Sequence, residues 1–458
     1  MKKTILFLMN GFGVEQVGSH SIYNANLMPN LDKYTKEYLF SSIETKSYDL
    51  ISGYRKFSTG CDYPLTYSLI DNFQDKYEEN PNFKFYLDNI KDGKIQLFLF
   101  LENDKNYEHL KNFVNYIRKT KNNPIYLHIV LTSKDTERYK DVERVINKII
   151  YDYKECVIAS IVGLNTLVKG NLVTVMNLLQ NEVGEKWREL NKKFSSLTNL
   201  KINPIDAKEF YMNEGFKIQS NDAFFFYNYE YTDLTNFVKN LNTNNIYSMF
   251  KINGINYPMF AYPKSGISTI NSLNKIDTKA VVLTTKKYLK MINYYLCGLE
   301  DISSDRLAYG NIEGDILLNQ DYIKSIIDNP DYNLIIIDYH IDDALNISEL
   351  NNKLSRLDGI LAYIHDYVKE KEYSLFISSL YGMKKELPLD NFAKVLVDFS
   401  SKVPFIVIDP IFNKVNFRLD YGDTYNLAHT IYTNINKDYD INEVLIKKKG
   451  FISKLLKK

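Results

Sequence analysis

Ile5-Leu6-Phe7-Leu8-Met9-Asn10-Gly11-Phe12-Gly13 is the stretch on which the fold turns. Five apolar residues in succession mark a strand covered on both faces, as in a parallel sheet. A polar side chain then stands at the strand's carboxyl end, and two glycines let the backbone turn tightly behind it. In open α/β sheets ligands bind outside the carboxyl ends of the strands. Asn10 therefore occupies a position where a catalytic or metal-binding group is expected. An Asp there would be a hard anionic ligand; Asn is neutral and a much poorer one.

The same strand signature recurs outward along the chain. Ile95–Leu101, Ile125–Leu131 and Val157–Val162 read as strands, with helices over Tyr107–Lys119 and Lys140–Tyr153 between them. This β-α-β-α-β order predicts a parallel, doubly wound sheet. Asp222–Tyr229 is another buried strand, and a helical stretch surrounds Trp187. The alternation resumes with strands at Ala280–Leu283, Tyr332–Asp338, Ser374–Ser379 and Val403–Val407. Helices are expected over Leu350–Glu370 and Asp423–Tyr432. Pro29 and Asn30 are placed to open a helix with Leu31 and Tyr34 on one face. Ser52-Gly53 and Ser58-Thr59-Gly60 read as a small-residue, hydroxyl-rich loop. Leu445–Lys458, with six lysines, reads as a solvated helix end.

Composition narrows the function classes. The chain has 458 residues, enough for two or three domains, with 45% hydrophobic and 25% charged residues. A net charge of +1 gives no global field for nucleic acid. Cys61, Cys156 and Cys297 are far apart and form no paired motif, which fits a reducing compartment. Lys2-Lys3 precede too few apolar residues for a signal-peptide core, and no apolar run reaches the roughly 20 residues of a membrane span. The expected location is the cytoplasm.

The order of landmarks resembles the cofactor-independent (2,3-bisphosphoglycerate-independent) phosphoglycerate mutases of the alkaline phosphatase superfamily. Ile5–Gly13 is similar to that family's opening strand ending in Asp-Gly, and Asn24–Tyr34 to its Asn-Ala-x-x-Ala-x-x-Pro-Asn-Leu-Asp segment. Asn221–Tyr229 is similar to its Gly-Asp-Ala-Ile-Ile-Phe-x-Asn-Phe strand. Thr285-Lys286-Lys287-Tyr288 falls at its Thr-Glu-Lys-Tyr, and Tyr332–Asp343 at its Tyr-Asp-x-Ile-x-x-Asn-x-x-Asn-Pro-Asp. Gly422–Ala428 falls at its Gly-Asp-Leu-Ala-Pro-Thr. The resemblance implies an α/β fold: an alkaline-phosphatase-like doubly wound sheet over residues 1–72 and 266–458, with a second, phosphotransferase-like α/β domain inserted at 73–265.

The family reaction moves phosphate between two hydroxyls through a phosphoserine. It needs two divalent cations, an activated Ser and an Arg cluster for the anionic substrate. Against that pattern the chain departs repeatedly. Asn10 replaces the first metal-binding Asp. The Asp and His of Thr-Ala-Asp-His-Gly fall on Leu380 and Tyr381. Ile347 replaces the His of Asp-Met-Val-Gly-His, whose Asp survives as Asp343, and no His precedes the Val403-Pro404 strand. The family's Arg-Pro-Asp-Arg falls on Glu230-Tyr231-Thr232-Asp233, so both substrate arginines become acidic. A unit charge at 4 Å is worth about 4 kcal/mol near a protein surface, so that reversal repels a phosphoglycerate.

The vestigial catalytic candidates are Ser52 (or Ser58) as nucleophile, Lys287, and Lys134 with Asp135. The vestigial metal candidates are Asp343, His340 and Asp342, a His-x-Asp-Asp group that could be a remodelled half-site. His109 lies near the inserted domain's His motif, and His128, inside an apolar strand, reads as a satisfied core residue. The expectation is a pseudoenzyme serving as scaffold or regulatory protein. It would have no cofactor, a protein partner of unknown identity, no nucleic acid and no membrane span. The alternative is a diverged phosphoester-acting enzyme using Mn or Mg, or a working mutase if the local alignments have slipped.

Overall fold

The computed structural model describes residues 3–14, 27–45, 50–61, 70–71, 74–101, 105–132, 139–152, 154–169, 217–241, 243, 245–253, 260, 268–297, 304–312, 320–389, 393–399, 402–437, 439 and 444–449. The chain divides into two compact units, one of Met1–Tyr63 with Pro263–Lys458 and one of Pro64–Tyr262.

The first unit begins with β1 (Thr4–Asn10), buried at all seven positions. Each fully buried Leu, Ile, Phe or Met of this strand contributes about 1.5–3 kcal/mol through removal from water. The helix Pro29–Glu37 follows with Pro at its first turn and Leu31 and Tyr34 on the buried face. β2 (Leu39–Glu44) comes next, then the helix Leu50–Thr59. That helix corrects the loop expected at Ser52–Gly60. Gly53, Ser58 and Thr59 are weak helix formers, but Tyr54 and Phe57 bury one face and tertiary packing overrides propensity. Gly60, at φ +61°, follows the helix in the left-handed conformation that glycine tolerates.

The second unit holds β3 (Ile95–Leu101), β4 (Ile125–Leu131), β5 (Val157–Gly163), β6 (Ala223–Tyr227) and β8 (Ile246–Ser248) in one sheet, ordered β5-β4-β3-β6-β8. Every pairing in it is parallel. The helices Lys105–Arg118 and Tyr139–Asp152 make the crossovers. A two-residue pair, β7 (Thr232–Asp233) with β9 (Ile252–Asn253), stands apart. Across the sheet runs a buried polar chain. Ser160 Oγ lies 2.7 Å from His128 Nδ1, His128 Nε2 lies 2.9 Å from Gln96 Oε1, and Gln96 Nε2 donates to Asp222 Oδ2 at 2.7 Å. Because Gln96 donates to Asp222, its oxygen accepts from His128. Nε2 therefore carries the proton and Nδ1 accepts from Ser160.

The chain then returns to the first unit through β10 (Ala280–Thr284), β11 (Leu307–Asn311), β12 (Leu334–His340), β13 (Ser374–Ser378) and β16 (Lys402–Ile408). Their sheet is ordered β11-β10-β12-β1-β13-β16-β2. It is parallel through β13, while β16 and β2 form antiparallel pairings at one side. β1 therefore sits at the centre, which explains its continuous apolar run. The hairpin β14 (Lys384–Pro388) and β15 (Lys394–Asp398) follows β13. β17 (Phe417–Leu419) pairs with β18 (Ile446–Lys448). β18 corrects the helix end expected at the start of the lysine-rich tail; residues 450–458 and Trp187 lie outside the described residues. The helix Thr424–Ile435 is started by a capping box between Asp423 and Asn426. Cys61, Cys156 and Cys297 take part in no disulfide. No described helix is long and apolar enough to cross a membrane.

Candidate functional site

The carboxyl ends of the central strands bring one polar group together. Register pairs Asn10 with His340 and Leu8 with Asp338, so Asn10, Asp338 and His340 share a face of the sheet. Thr284 ends the neighbouring β10, and Tyr54 comes from the helix Leu50–Thr59. Four donors converge on the Asp338 carboxylate. Asn10 Nδ2 and Tyr54 OH reach Oδ1 at 2.6 and 2.7 Å; Thr284 Oγ1 and His340 Nε2 reach Oδ2, each at 2.7 Å. Two bonds per oxygen use the carboxylate's acceptor sites. Asn10 faces both ways, because its Oδ1 accepts the backbone N–H of Leu380 at 3.0 Å.

His340 links this carboxylate to a second one. Its Nδ1 lies 3.5 Å from Asp342 Oδ1, a separation at which charge rather than a short hydrogen bond carries the attraction. Asp342 Oδ2 accepts Tyr381 OH at 2.6 Å. The imidazole stacks on Tyr288, ring centroids 3.8 Å apart and planes at 22°. Burial alone would push His340 toward the neutral form; the charges and hydrogen bonds of Asp338 and Asp342 outweigh it and raise the group to about 9. Burial also works against the charge on Asp342, yet His340 and Tyr381 hold its carboxyl below the usual range. Burial first, and then Asp338, keeps the Tyr54 phenol well above its ordinary value.

The remaining predicted positions have other work. Leu380 and Tyr381 are buried, with Leu380 against the helix at Gly53: a Cβ on Gly53 would lie 2.9 Å from both Leu380 Cβ and its carbonyl oxygen. Ile347 opens the helix Ile347–Glu370, capped by Asn346, whose side chain accepts the Glu349 N–H. Asp343 pairs with Lys353 at 2.6 Å. Lys287 Nζ donates to Tyr288 OH at 2.9 Å. Ser58 is buried; its hydroxyl donates to Leu296 O and accepts Thr269 N–H. Ser52 is partly buried on the same helix. In the second unit Asp233 accepts the backbone N–H and hydroxyl of Thr235, a turn ahead of the helix Thr235–Lys239, and the Glu230 carbonyl accepts Asn228 Nδ2. His109 is buried between Asp71, at 2.9 Å, and the Tyr229 hydroxyl, at 3.0 Å. Lys134 and Asp135 lie outside the described residues.

Asp338 was legible by the rule that singled out Asn10: it is the polar residue closing the apolar run Leu334–Ile337. Thr284 closes the apolar run Ala280–Leu283 and was legible by the same rule. Tyr54 carries no comparable local signal, because only the fold brings its helix to the strand ends.

The fold and this strand-end site define a two-unit α/β protein whose first unit carries polar groups at the carboxyl ends of a mainly parallel seven-stranded sheet. Among solved structures the chain is similar to phosphoglycerate mutase from Leishmania mexicana, solved at low cobalt concentration. Identity is 13%, coverage is 98% of each chain and the TM-score is 0.73, a likeness of fold. Looser matches include alkaline phosphatase from the Antarctic bacterium TAB5, at 10% identity over 95% of this chain and 98% of that one with TM-score 0.31. Cofactor-independent phosphoglycerate mutase from Thermoplasma acidophilum matches at 10% identity over 95% and 100%, with TM-score 0.32. No protein-family model matches the sequence, and no curated protein matches it.

Proposed function

We propose that this chain is a non-catalytic relative of the phosphoglycerate mutases, acting through binding as a scaffold or regulatory protein. The observation that carries the reading is the saturation of Asp338 by four donors of the chain itself. The mutase resemblance implies two divalent cations at this end of the sheet, and the described side chains do not fit them. Asp338 has its acceptor sites occupied, both His340 nitrogens face carboxylates, and Leu380 presents hydrocarbon. Among the described residues no three His, Cys, Asp or Glu side chains are arranged to hold a metal ion. The mutase segments have Asp where this chain has Asn10, and Asn where it has Asp338. Carboxylate and amide have exchanged places, and the exchange supports a retained fold with a rebuilt centre.

One observation favours the second reading, a diverged phosphoester enzyme: Asp338, His340 and Asp342 still place acid–base groups at the strand ends. Two measurements decide between them: calorimetric titration with Mn²⁺, with and without 3-phosphoglycerate, and turnover assays on mutase and simple phosphoester substrates. Neither binding nor turnover is expected. Stoichiometric Mn²⁺ binding, or turnover lost in Asp342→Ala, would overturn the scaffold reading.

A further inference from the structure

The poor fit to a metal leaves a question of charge: two carboxylates, Asp338 and Asp342, stand at the end of the sheet, one fully buried and one partly so. We propose that His340 is their resident cation, an imidazolium standing between Asp338 and Asp342 in place of a divalent ion. The geometry matches that role from both sides. Nε2 reaches Asp338 Oδ2 at 2.7 Å; Nδ1 is buried without a hydrogen-bond partner and lies 3.5 Å from Asp342 Oδ1, itself buried and unbonded, so an anion stands beside each nitrogen. A neutral ring protonated at Nε2 would leave the Nδ1 lone pair buried beside the Asp342 carboxylate with no donor to satisfy it; a proton on Nδ1 turns that repulsion into attraction.

The other groups on these carboxylates are uncharged. Asn10, Tyr54 and Thr284 complete Asp338, and Tyr381 donates to Asp342. Lys385 is nearby, but its Nζ is bonded to the backbone carbonyls of Asp342 and Ala344, at 3.3 and 2.7 Å. Asp343 is paired with Lys353. The Tyr288 ring lies flat against the imidazole, offering its π-face to the charge. The upward displacement of His340 described above agrees with this arrangement.

An imidazolium and a divalent ion solve the same electrostatic problem with different reach. The ion exchanges with solvent and can polarise a substrate oxygen. The imidazolium is tethered to β12, is spent on its two carboxylates, and cannot be chelated away. The centre is then a fixed structural part of the chain, indifferent to metal supply.

The inference rests on the scaffold reading only in taking the centre as free of metal, and its test is separate from calorimetry and turnover. Nitrogen-15 NMR of histidine-labelled, full-length protein near neutral pH reads the protonation state directly, with His340 assigned by single substitutions at the other five histidines. Two similar ring-nitrogen shifts, the imidazolium signature, are expected for His340. The two widely separated shifts of a neutral ring overturn the proposal even if no metal binds and nothing turns over. Conversely, an imidazolium in a chain that does turn over phosphoester leaves the proposal standing and removes the scaffold reading. A second arm uses His340→Ala, which opens the space between the carboxylates. Its lowered melting temperature should recover with added imidazole, and this recovery should vanish in the Asp338→Asn, His340→Ala double variant. Recovery that persists in the double variant counts against the proposal. If neither variant folds, the NMR measurement on the unmodified chain decides.

Discussion

The side-chain amide nitrogen of Asn10 lies 2.6 Å from Asp338 Oδ1, while the amide oxygen of Asn10 accepts the Leu380 N–H. The amide donates to the carboxylate through its nitrogen and accepts from the backbone through its oxygen at once. Asn10→Asp supplies an acceptor where a donor is required and sets two carboxylates in contact. The variant should lose about 3–5 kcal/mol of stability at neutral pH, the range for a buried charge left without its partner. It should recover part of that loss in mild acid, where the pair shares a proton. Urea unfolding at two pH values measures both effects. Equal stability of variant and parent at neutral pH would refute the argument.

His340 ties stability to alkaline pH. Its folded value is raised to about 9 from 6.5, so the native state keeps a proton that the unfolded chain has released between those values. The contribution is complete below 6.5, falls as pH rises, and is lost once pH passes 9. Its size is on the order of 3 kcal/mol. The difference in unfolding free energy between parent and His340→Gln should shrink across that window. A constant difference would show that His340 does not carry the effect.

His128 predicts the opposite limb. Burial lowers it to about 3 from 6.5, so the unfolded chain takes up a proton that the native state refuses. Stability contributed here is present above 6.5 and is lost as pH falls toward 3. Replacing His128 with Phe should flatten the acid limb. It should also cost about 1–3 kcal/mol at neutral pH, because Ser160 and Gln96 lose the ring that joins them. Denaturant titrations across acid pH read both.

Gly53 sets helix propensity against packing. An exposed helical Gly→Ala change gains about 1 kcal/mol. At Gly53 the new methyl would meet Leu380 Cβ and its carbonyl oxygen at 2.9 Å, and overpacking of that kind costs about 1–3 kcal/mol. Packing against backbone wins, so Gly53→Ala should destabilise. Since the displaced helix carries Tyr54, the variant should also perturb the hydrogen bond to Asp338, visible as a shift in the tyrosine's near-ultraviolet signal.

What could be read from the sequence was what local pattern encodes. The buried runs of β1, β3, β4 and β12 announced themselves, as did the Pro29 helix start. β2 did not, because Leu39–Glu44 is a short strand whose partner, Lys402–Ile408, is remote in the chain. The helix Leu50–Thr59 was hidden by its Gly, Ser and Thr content. At the site, Asn10, His340 and Asp342 were identified from strand ends and motif positions. Their roles were not, since a role depends on Tyr54, Thr284, Tyr288 and Tyr381, which converge from three separate segments.

The central position of β1 has a consequence for how the protein is made. Its neighbours β12 and β13 are synthesised more than three hundred residues later, roughly 15 s to a minute at ribosomal speed. The inserted unit, whose first strands pair with near successors, can complete its sheet in that interval. Meanwhile the nascent chain carries a bare, uncharged apolar strand with both edges open, the kind of segment that seeds intermolecular pairing. The exposure of this strand during synthesis is therefore a hazard that ends only when β12 and β13 cover its two edges.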